Sequence, residues 1–341
     1  LSQVADVGTP AVAGVFSGLN YGYYLVIETS NAATDGTVRS KPILVSVPDN
    51  NGTAAVIVTV KTSKADVDKI IVEVNDTAVT PTKTAQLKIG DVVKFKLTAT
   101  VPTYAGDVED TDVVYTIEDT LSKGLKFRYK GDGADMIVRD SNGVNINDRH
   151  PFTLSQEATP DGGNIVRLKF VYRQIKDLGR ITVEYSATLS AEASVGATGN
   201  PNSVTLQYSN NPGVSGSVHT TPPKHTIVYT TGIRLTKIDG STPAQTLAGA
   251  QFRIYKDAQC LQPVSFYTYN VPTGGDEKIL VKSETGIVTT GADGITYFAG
   301  LTAGDYYIKE VKAPDGYDLL KDPIHIKIGV TLPPGTTLGT E

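Results

Sequence analysis

Tryptophan is absent from the chain, and cysteine and methionine occur once each. A lone Cys260 excludes an intrachain disulfide and any zinc site built on cysteine pairs. The histidines His150, His219, His225 and His325 are scattered without metal-ligand spacing, so no metal and no cofactor is expected. No apolar run reaches the roughly 18 residues that a membrane-crossing helix requires. The chain opens at Leu1 without the charged and apolar regions of an export signal, and the expectation is that such a signal has been removed or left out. Blocks of lysine or arginine are missing too, and with a net charge of −5 a nucleic-acid partner is not expected. Neither G-x-S-x-G nor H-E-x-x-H occurs, nor a Cys–His arrangement, so a hydrolytic enzyme finds no support.

What is present favours strands. Threonine, valine, glycine and tyrosine are abundant, and apolar and polar residues alternate between turn signals through most of the chain. A length of 341 residues, 40% of them hydrophobic, predicts two or three domains with substantial cores. Residues 1–62 read as the C-terminal part of a β-domain. Residues 63–224 carry evenly spaced strands, DKIIVEV, DVVKFKLTATV, DVVYTIEDTL, NIVRLKFVY, GRITVEYSATL and NSVTLQYS, which suggest an antiparallel Ig-like sandwich. The Gly-, Ser- and Pro-rich run from Pro212 to Lys224 reads as a terminal strand followed by a linker. Residues 225–341 form a third β-unit with a polar insertion around Val271.

The junction of the first two units is Val58 to Val74, VTVKTSKADVDKIIVEV. It is read as a polar hinge, Thr62 to Asp66, leading into the first strand of the middle domain. Three lysines lie in or beside it, Lys61, Lys64 and Lys69. An internal repeat links the outer units: Phe16 to Glu28 and Phe298 to Glu310 both read F-x-G-L-x-x-G-x-Y-x-x-x-E. One such pair does not make a solenoid, but it marks the first and third units as copies of one domain type.

Period-2 alternation assigns faces. Lys69 shares a face with Val67 and Ile71, Asp119 with Tyr115, Ile117 and Leu121, and Asn202 with Val204, Leu206 and Tyr208. In the third unit, Lys237 shares a face with Ile233 and Leu235, and Glu310 with Tyr306 and Ile308. If the apolar neighbours point inward, so do the polar groups, although Lys and Glu are seldom fully buried unless paired. Burial lowers a lysine pKa and raises a carboxyl pKa. A neutral Lys69 amine is a nucleophile, and a protonated Asp119 donating to the Asn202 amide oxygen would polarise the carbon it attacks. The product is a Lys–Asn isopeptide bond joining first and last strands of the middle domain, made once, without turnover.

At these residues the chain resembles the backbone, or major, pilins of Gram-positive bacteria, which are built from Cna-type Ig-like domains and joined covalently by a pilus-specific sortase. The run YYIKEVKAPDGY, Tyr306 to Tyr317, matches the family's E-box. KIDGSTPAQTLAGAQFRIYK, from Lys237, is similar to the opening of a CnaB domain. YTIEDTLSKGLKF and NSVTLQYSNNP resemble the middle and end of a CnaA-like domain.

The resemblance implies an all-β chain of tandem Ig-like sandwiches, CnaB-like end domains flanking a CnaA-like middle domain. It implies isopeptide acids at Asp119 and Glu310 and crosslink residues at Lys69, Asn202 and Lys237. Asn200 is a competitor of Asn202, and Asp112 a weaker alternative to Asp119. Val58-Thr59-Val60-Lys61 stands where the family's pilin motif places the lysine joined by sortase, so Lys61 is the expected intermolecular linkage site, with Lys64 in reserve. Tyr and Pro of that motif are replaced here by Thr and Val. The third unit has no asparagine after Ile328 and no L-P-x-T-G signal, and is expected to lack its last strand. Glu28 has no visible lysine partner. The expected partners are other copies of the pilin, the sortase, minor pilins and, in the alternative reading as a minor pilin or adhesin, host surface molecules. The expected location is an extracellular, cell-wall-anchored pilus.

Overall fold

A computed structural model describes residues 16, 19–27, 36–38, 42–47, 56–58, 63–104, 109–128, 136–212, 214, 216–270 and 278–329. Nearly all regular structure is β-strand. The first unit contributes β1 (Gly22–Val26), β2 (Thr37–Val38) and β3 (Ile43–Val47), with β1 and β3 paired antiparallel. Next comes β4 (Ser63–Lys64), which pairs with β2. The expected hinge therefore contains a strand bonded back to the first unit. Thr62-Ser63-Lys64 has no apolar alternation, and a pairing this short is held by backbone hydrogen bonds that leave no pattern in side-chain polarity.

The middle unit runs through β5 (Val67–Val74), β6 (Thr77–Thr82), β7 (Thr84–Gln86), β8 (Val92–Thr100), β9 (Tyr115–Leu121), β10 (Leu125–Phe127), β11 (Met136–Arg139), β12 (Phe152–Ala158), β13 (Asn164–Phe170), β14 (Arg180–Leu189), β15 (Asn200–Ser209), β16 (Val218–Thr220) and β17 (Lys224–Tyr229). One sheet has the order β10-β14-β8-β5-β6, with β11 also on β14. The other has the order β12-β13-β9-β15-β17-β7, with β16 also on β15. Alternation decides which faces meet. Val67, Ile71, Val93, Phe95, Leu97, Ile181 and Val183 from the first sheet pack against Tyr115, Ile117, Val166, Leu168, Val204 and Leu206 from the second, all within one buried core. Their intervening neighbours face outward, as in Lys94 with Glu73 and Arg167 with Glu118 and Glu157.

The stretch from Pro212 to Lys224, read as a terminal strand followed by a linker, holds the short strand β16 on β15 and leads directly into β17. The expected break after residue 224 falls at the start of β17, which lies between β15 and, in parallel, β7. Thr226, Val228 and Tyr229 are buried there, so Asn202 stands on a central strand and not on the sheet's last one. The first unit also touches this sandwich. Val38 and Ala65 join its core, and the Tyr208 hydroxyl donates to the Gly36 carbonyl. Gly36 has φ +81°, and a Cβ there would lie 2.6 Å from that hydroxyl, so glycine permits the close approach.

The third unit comprises β18 (Thr231–Thr236), β19 (Gln251–Tyr255), β20 (Tyr267–Asn270), β21 (Ile279–Lys282), β22 (Val288–Thr289), β23 (Ile295–Leu301), β24 (Gly304–Lys312) and β25 (Ile324–Ile328). Sheets β18-β23-β20-β21 and β22-β19-β24-β25 enclose a smaller core of Phe252, Ile254, Phe266, Phe298, Tyr306 and Ile308. Backbone and hydroxyl bonds tie it to the middle unit: Ile89 N–H to Gly300 O at 3.1 Å, and the Thr302 hydroxyl to Gln86 O at 3.1 Å. The repeat seen in the sequence has a structural counterpart. The Tyr306 hydroxyl donates to Thr302 O at 2.9 Å, and the Tyr24 hydroxyl donates to Asn20 O at 2.8 Å. Both strands begin at the equivalent glycine, Gly304 and Gly22. Among the described residues no helix is long and apolar enough to cross a membrane.

Candidate functional site

The middle sandwich buries a set of polar groups between its sheets. Lys69 comes from β5, between Val67 and Ile71 on the inward row, and none of it reaches solvent. Asp119 comes from β9 of the opposite sheet, 1% exposed, between Ile117 and Leu121. Asn202, fully buried, stands on β15, where Val204 is the direct partner of Asp119 and Asn202 lies one inward position along. The alternation that carries Val and Ile into the core carries these side chains with them.

Lys69 Nζ donates to Asp119 Oδ1 at 2.6 Å and Oδ2 at 2.5 Å. It also lies 2.7 Å from the hydroxyl of Tyr185. That hydroxyl donates to Asp119 Oδ2 at 2.7 Å and accepts from Asn202 Nδ2 at 2.8 Å. Tyr185 comes from β14, in the same sheet as Lys69 but two strands away, with Phe95 between them on β8. The Lys69 ammonium sits 4.8 Å from the Phe95 ring centre and 5.2 Å from that of Tyr185. Asn202 Oδ1 is buried without a hydrogen-bond partner.

Loss of water sets the electrostatics. Burial pushes Lys69 down to about 8, even though the Asp119 carboxylate beside it pulls the other way. Burial likewise raises Asp119, opposed by Lys69 and Tyr185, and raises Tyr185 well above the usual phenol range. Both shifts in the pair favour one change: the proton moves from ammonium to carboxylate, leaving a neutral amine beside a neutral acid.

The structure brings Lys69, Asp119 and Asn202 together, with one difference from the expected contact. Asp119 does not hydrogen-bond the Asn202 amide; the Tyr185 hydroxyl stands between them. Sequence reasoning missed Tyr185. The available signal was a tyrosine on the inward row of GRITVEYSATL, since a buried phenol needs a hydrogen-bond partner. Of the alternatives, Asn200 is engaged elsewhere. Its Nδ2 donates to Ser194 O and Val228 O, both at 3.1 Å, and its Oδ1 accepts from Ser194 N–H at 2.9 Å. Asp112 is exposed on a short 3-10 turn and cannot serve as the buried acid.

In the third unit Lys237 Nζ lies 3.1 Å from Glu310 Oε1, and the glutamate side chain is wholly buried. Glu310 Oε2 accepts the Leu320 backbone N–H at 2.8 Å, so the loop that follows β24 folds back onto the carboxylate. Oε1 has no directional hydrogen bond; the lysine approaches it off the bonding direction. Asn270 is the one asparagine after Asn211 in the sequence, and it ends β20, exposed. At the junction Lys64 is exposed on β4. Lys61 and Glu28 lie outside the described residues. Among the described residues no group of three or more His, Cys, Asp or Glu could hold a metal ion.

Comparisons with known proteins agree with this architecture. A family model described as the Cna-B-like domain of Gram-positive pilin backbone subunit 2 matches residues 89–212. A SpaA model of a prealbumin-like fold domain matches residues 231–335. The middle unit, which by its motifs resembles a CnaA-like domain, is thus matched by a model of Cna-B-like description. The trypsin-resistant surface T6 protein of Streptococcus pyogenes serotype M6 is 27% identical over 249 residues, covering 68% of this chain and 40% of that protein. The solved T6 backbone pilin of the same serotype, described as a modular three-domain structure, matches with a TM-score of 0.62 at 22% identity, covering 91% of this chain and 62% of that one. The pilus 2b backbone protein of group B streptococcus matches with a TM-score of 0.50 at 25% identity, covering 79% and 91%. The chain spans about two fifths of the length of the curated relative. With a pilin-backbone domain model and a prealbumin-like fold model matched in tandem, the chain is similar along most of its length to the streptococcal T6 protein and shares its fold with Gram-positive backbone pilins.

Proposed function

We propose that the chain is part of a shaft subunit of a covalently polymerised cell-surface pilus, and that its middle sandwich is locked by a self-made bond between Lys69 and Asn202. The observation that supports this reading best is the burial of an amine, an acid and an amide together on three strands of facing sheets. The neutral Lys69 amine attacks Asn202 Cγ, Asp119 acts as the acid, and ammonia leaves. Such a bond encloses a loop of about 130 residues, and by the loop-entropy account of disulfides contributes about 5 kcal/mol. The work is structural: a single bond-forming event, no turnover, no cofactor.

Lys237 and Glu310 repeat the lysine–acid half of the arrangement, with Glu310 in the acid's place. Their side chains lie 3.1 Å apart as an ion pair, and among the described residues no asparagine stands against them. Lys61 is the proposed point at which a pilus-specific sortase joins the next copy, because it stands just before the middle domain where the pilin-motif lysine is expected. Other copies of the pilin, the sortase and minor pilins are the partners this reading requires, on the outside of a Gram-positive cell wall.

Intact-mass spectrometry of the purified chain tests the internal bond. The expected mass is one ammonia, about 17 Da, below that of the sequence. A mass equal to the sequence mass overturns the proposal. For polymerisation, Lys61→Ala is expected to abolish multimers formed with the sortase; undiminished multimers would move the linkage to Lys64 or elsewhere.

A further inference from the structure

We propose that the Tyr185 hydroxyl is a catalytic proton relay in this bond formation, carrying the acid's proton to the nitrogen that leaves. The inference rests on the Lys69–Asn202 reading and names the group that completes it. Three observations carry it. The hydroxyl is within hydrogen-bond distance of all three partners at once: Lys69 Nζ at 2.7 Å, Asp119 Oδ2 at 2.7 Å and Asn202 Nδ2 at 2.8 Å. Asp119 has no direct bond to the Asn202 amide, so its proton needs an intermediary to reach Nδ2. The site is closed to water, which excludes bulk solvent as the proton donor.

The step balances as a closed ring. The lone pair of neutral Lys69 Nζ forms the N–C bond with Asn202 Cγ, and the carbonyl electrons move to Oδ1. Nδ2, planar and a donor in the resting amide, becomes pyramidal and gains a lone pair. Tyr185 then turns its proton from Asp119 to Nδ2 and takes the proton of the Asp119 carboxylic acid in exchange. The C–Nδ2 bond breaks, its electron pair leaves with ammonia, and the Oδ1 carbonyl re-forms. Asp119, now a carboxylate, accepts the surplus proton from Nζ through Oδ1. Amine and amide go in; secondary amide and ammonia come out, with tyrosine and aspartic acid restored. The charged groups facing the hydroxyl are Lys69 from β5 and Asp119 from β9, and Lys83 acts on Lys69 from the β6–β7 turn. The rings beside it, Phe95 on β8 and Phe127 on β10, carry no proton.

The full chain, isolated in denaturant before it has folded and then diluted to refold, starts the clock. Samples stopped in acid are read by intact mass. Tyr185→Phe keeps the ring and removes only the relay, and the loss of about 17 Da is expected to slow by about 100-fold, within the range of general acid–base catalysis. Tyr104→Phe, which removes another buried hydroxyl from the same sandwich, is expected to leave the rate unchanged. Circular dichroism at each time point shows whether the variant has folded. Should Tyr185→Phe fail to fold, 3-fluorotyrosine at 185 retains the hydroxyl with a lower pKa, and the pH profile of the rate is expected to move to lower pH. Wild type that never loses ammonia overturns the bond itself. Wild type and Tyr185→Phe losing it equally fast, or an unmoved pH profile with fluorotyrosine, overturns the relay and leaves the bond standing.

Discussion

At the scale of single residues, the middle site depends on which charges are buried with partners. Lys69→Ala removes the nucleophile and with it the proposed crosslink, and leaves Asp119 buried without the nitrogen it bonds, so the loss is expected to be at least that of the crosslink, about 5 kcal/mol. Asn202→Ala removes the acceptor and keeps the pair, so it isolates the crosslink, worth about 5 kcal/mol. The unreacted pair also predicts a pH dependence. In Asn202→Ala, folding holds Lys69 near 8 against an ordinary 10.5. Between those values the unfolded chain binds more protons, so stability rises as pH climbs through that window. The raised Asp119 acts in the opposite sense at the acid end, where its contribution falls as pH rises above the ordinary carboxyl value. If the proposed bond forms, Lys69 of the wild type is an amide and is expected not to titrate. Denaturant unfolding from pH 7 to 11 checks this, and an alkaline rise in wild type equal to that in Asn202→Ala would mean that Lys69 is free. Lys69, Asp119 and Asn202 were legible because alternation assigns inward faces. Alternation also places Tyr185 on an inward row, but its contact with the other three was not legible, because its hydroxyl reaches from two strands away and only the folded sheet sets that distance.

At the scale of elements, the long strands were legible and the short or polar ones were not. β5, β8, β9, β14 and β15 each carry a long, mostly apolar inward row, interrupted only by such residues as Lys69, Asp119, Asn200 and Asn202, and that alternation is displayed by sequence alone. β4, β7 and β16 are two or three residues long, with pairings made by backbone groups. β17 was legible as a strand but not as a member of the middle sheet, since KHTIVY runs almost without a break into TGIRLT. Ile227 gives a test of its membership. Its N–H bonds Lys83 O at 2.9 Å, and proline there removes that donor in the interior of a sheet. Ile227→Pro is expected to lower the stability of the middle sandwich by about 1–3 kcal/mol. Hydrogen exchange should show lost protection along β15 and β7; protection lost only in the third unit would instead assign β17 there. In the third unit, Lys237→Met leaves Glu310 without its cation and is expected to cost about 3–5 kcal/mol. The expected ammonia deficit should stay as it is, because the proposed bond lies in the middle domain. A deficit that shrinks in Lys237→Met would place a second bond in the third unit.

At the scale of the whole molecule, the proposed bond links strand β5, which enters from the first unit, to strand β15, which leads through β17 into the third. Load along the chain would enter near Lys69 and leave near Asn202, and a covalent bond between them bypasses the sandwich in between. The segment bypassed, about 130 residues, would otherwise release about 450 Å of contour when pulled straight. The hydrophobic core alone cannot prevent that release, since burial resists unfolding only until the sheets part. Single-molecule stretching between the chain ends distinguishes the cases. Wild type is expected to unfold without the increment from residues 70–201, whereas Asn202→Ala, with the same core and the same buried pair, is expected to gain about 450 Å. Equal contour lengths in the two proteins would mean that no covalent path joins β5 to β15, and that the middle sandwich bears load through packing and hydrogen bonds alone.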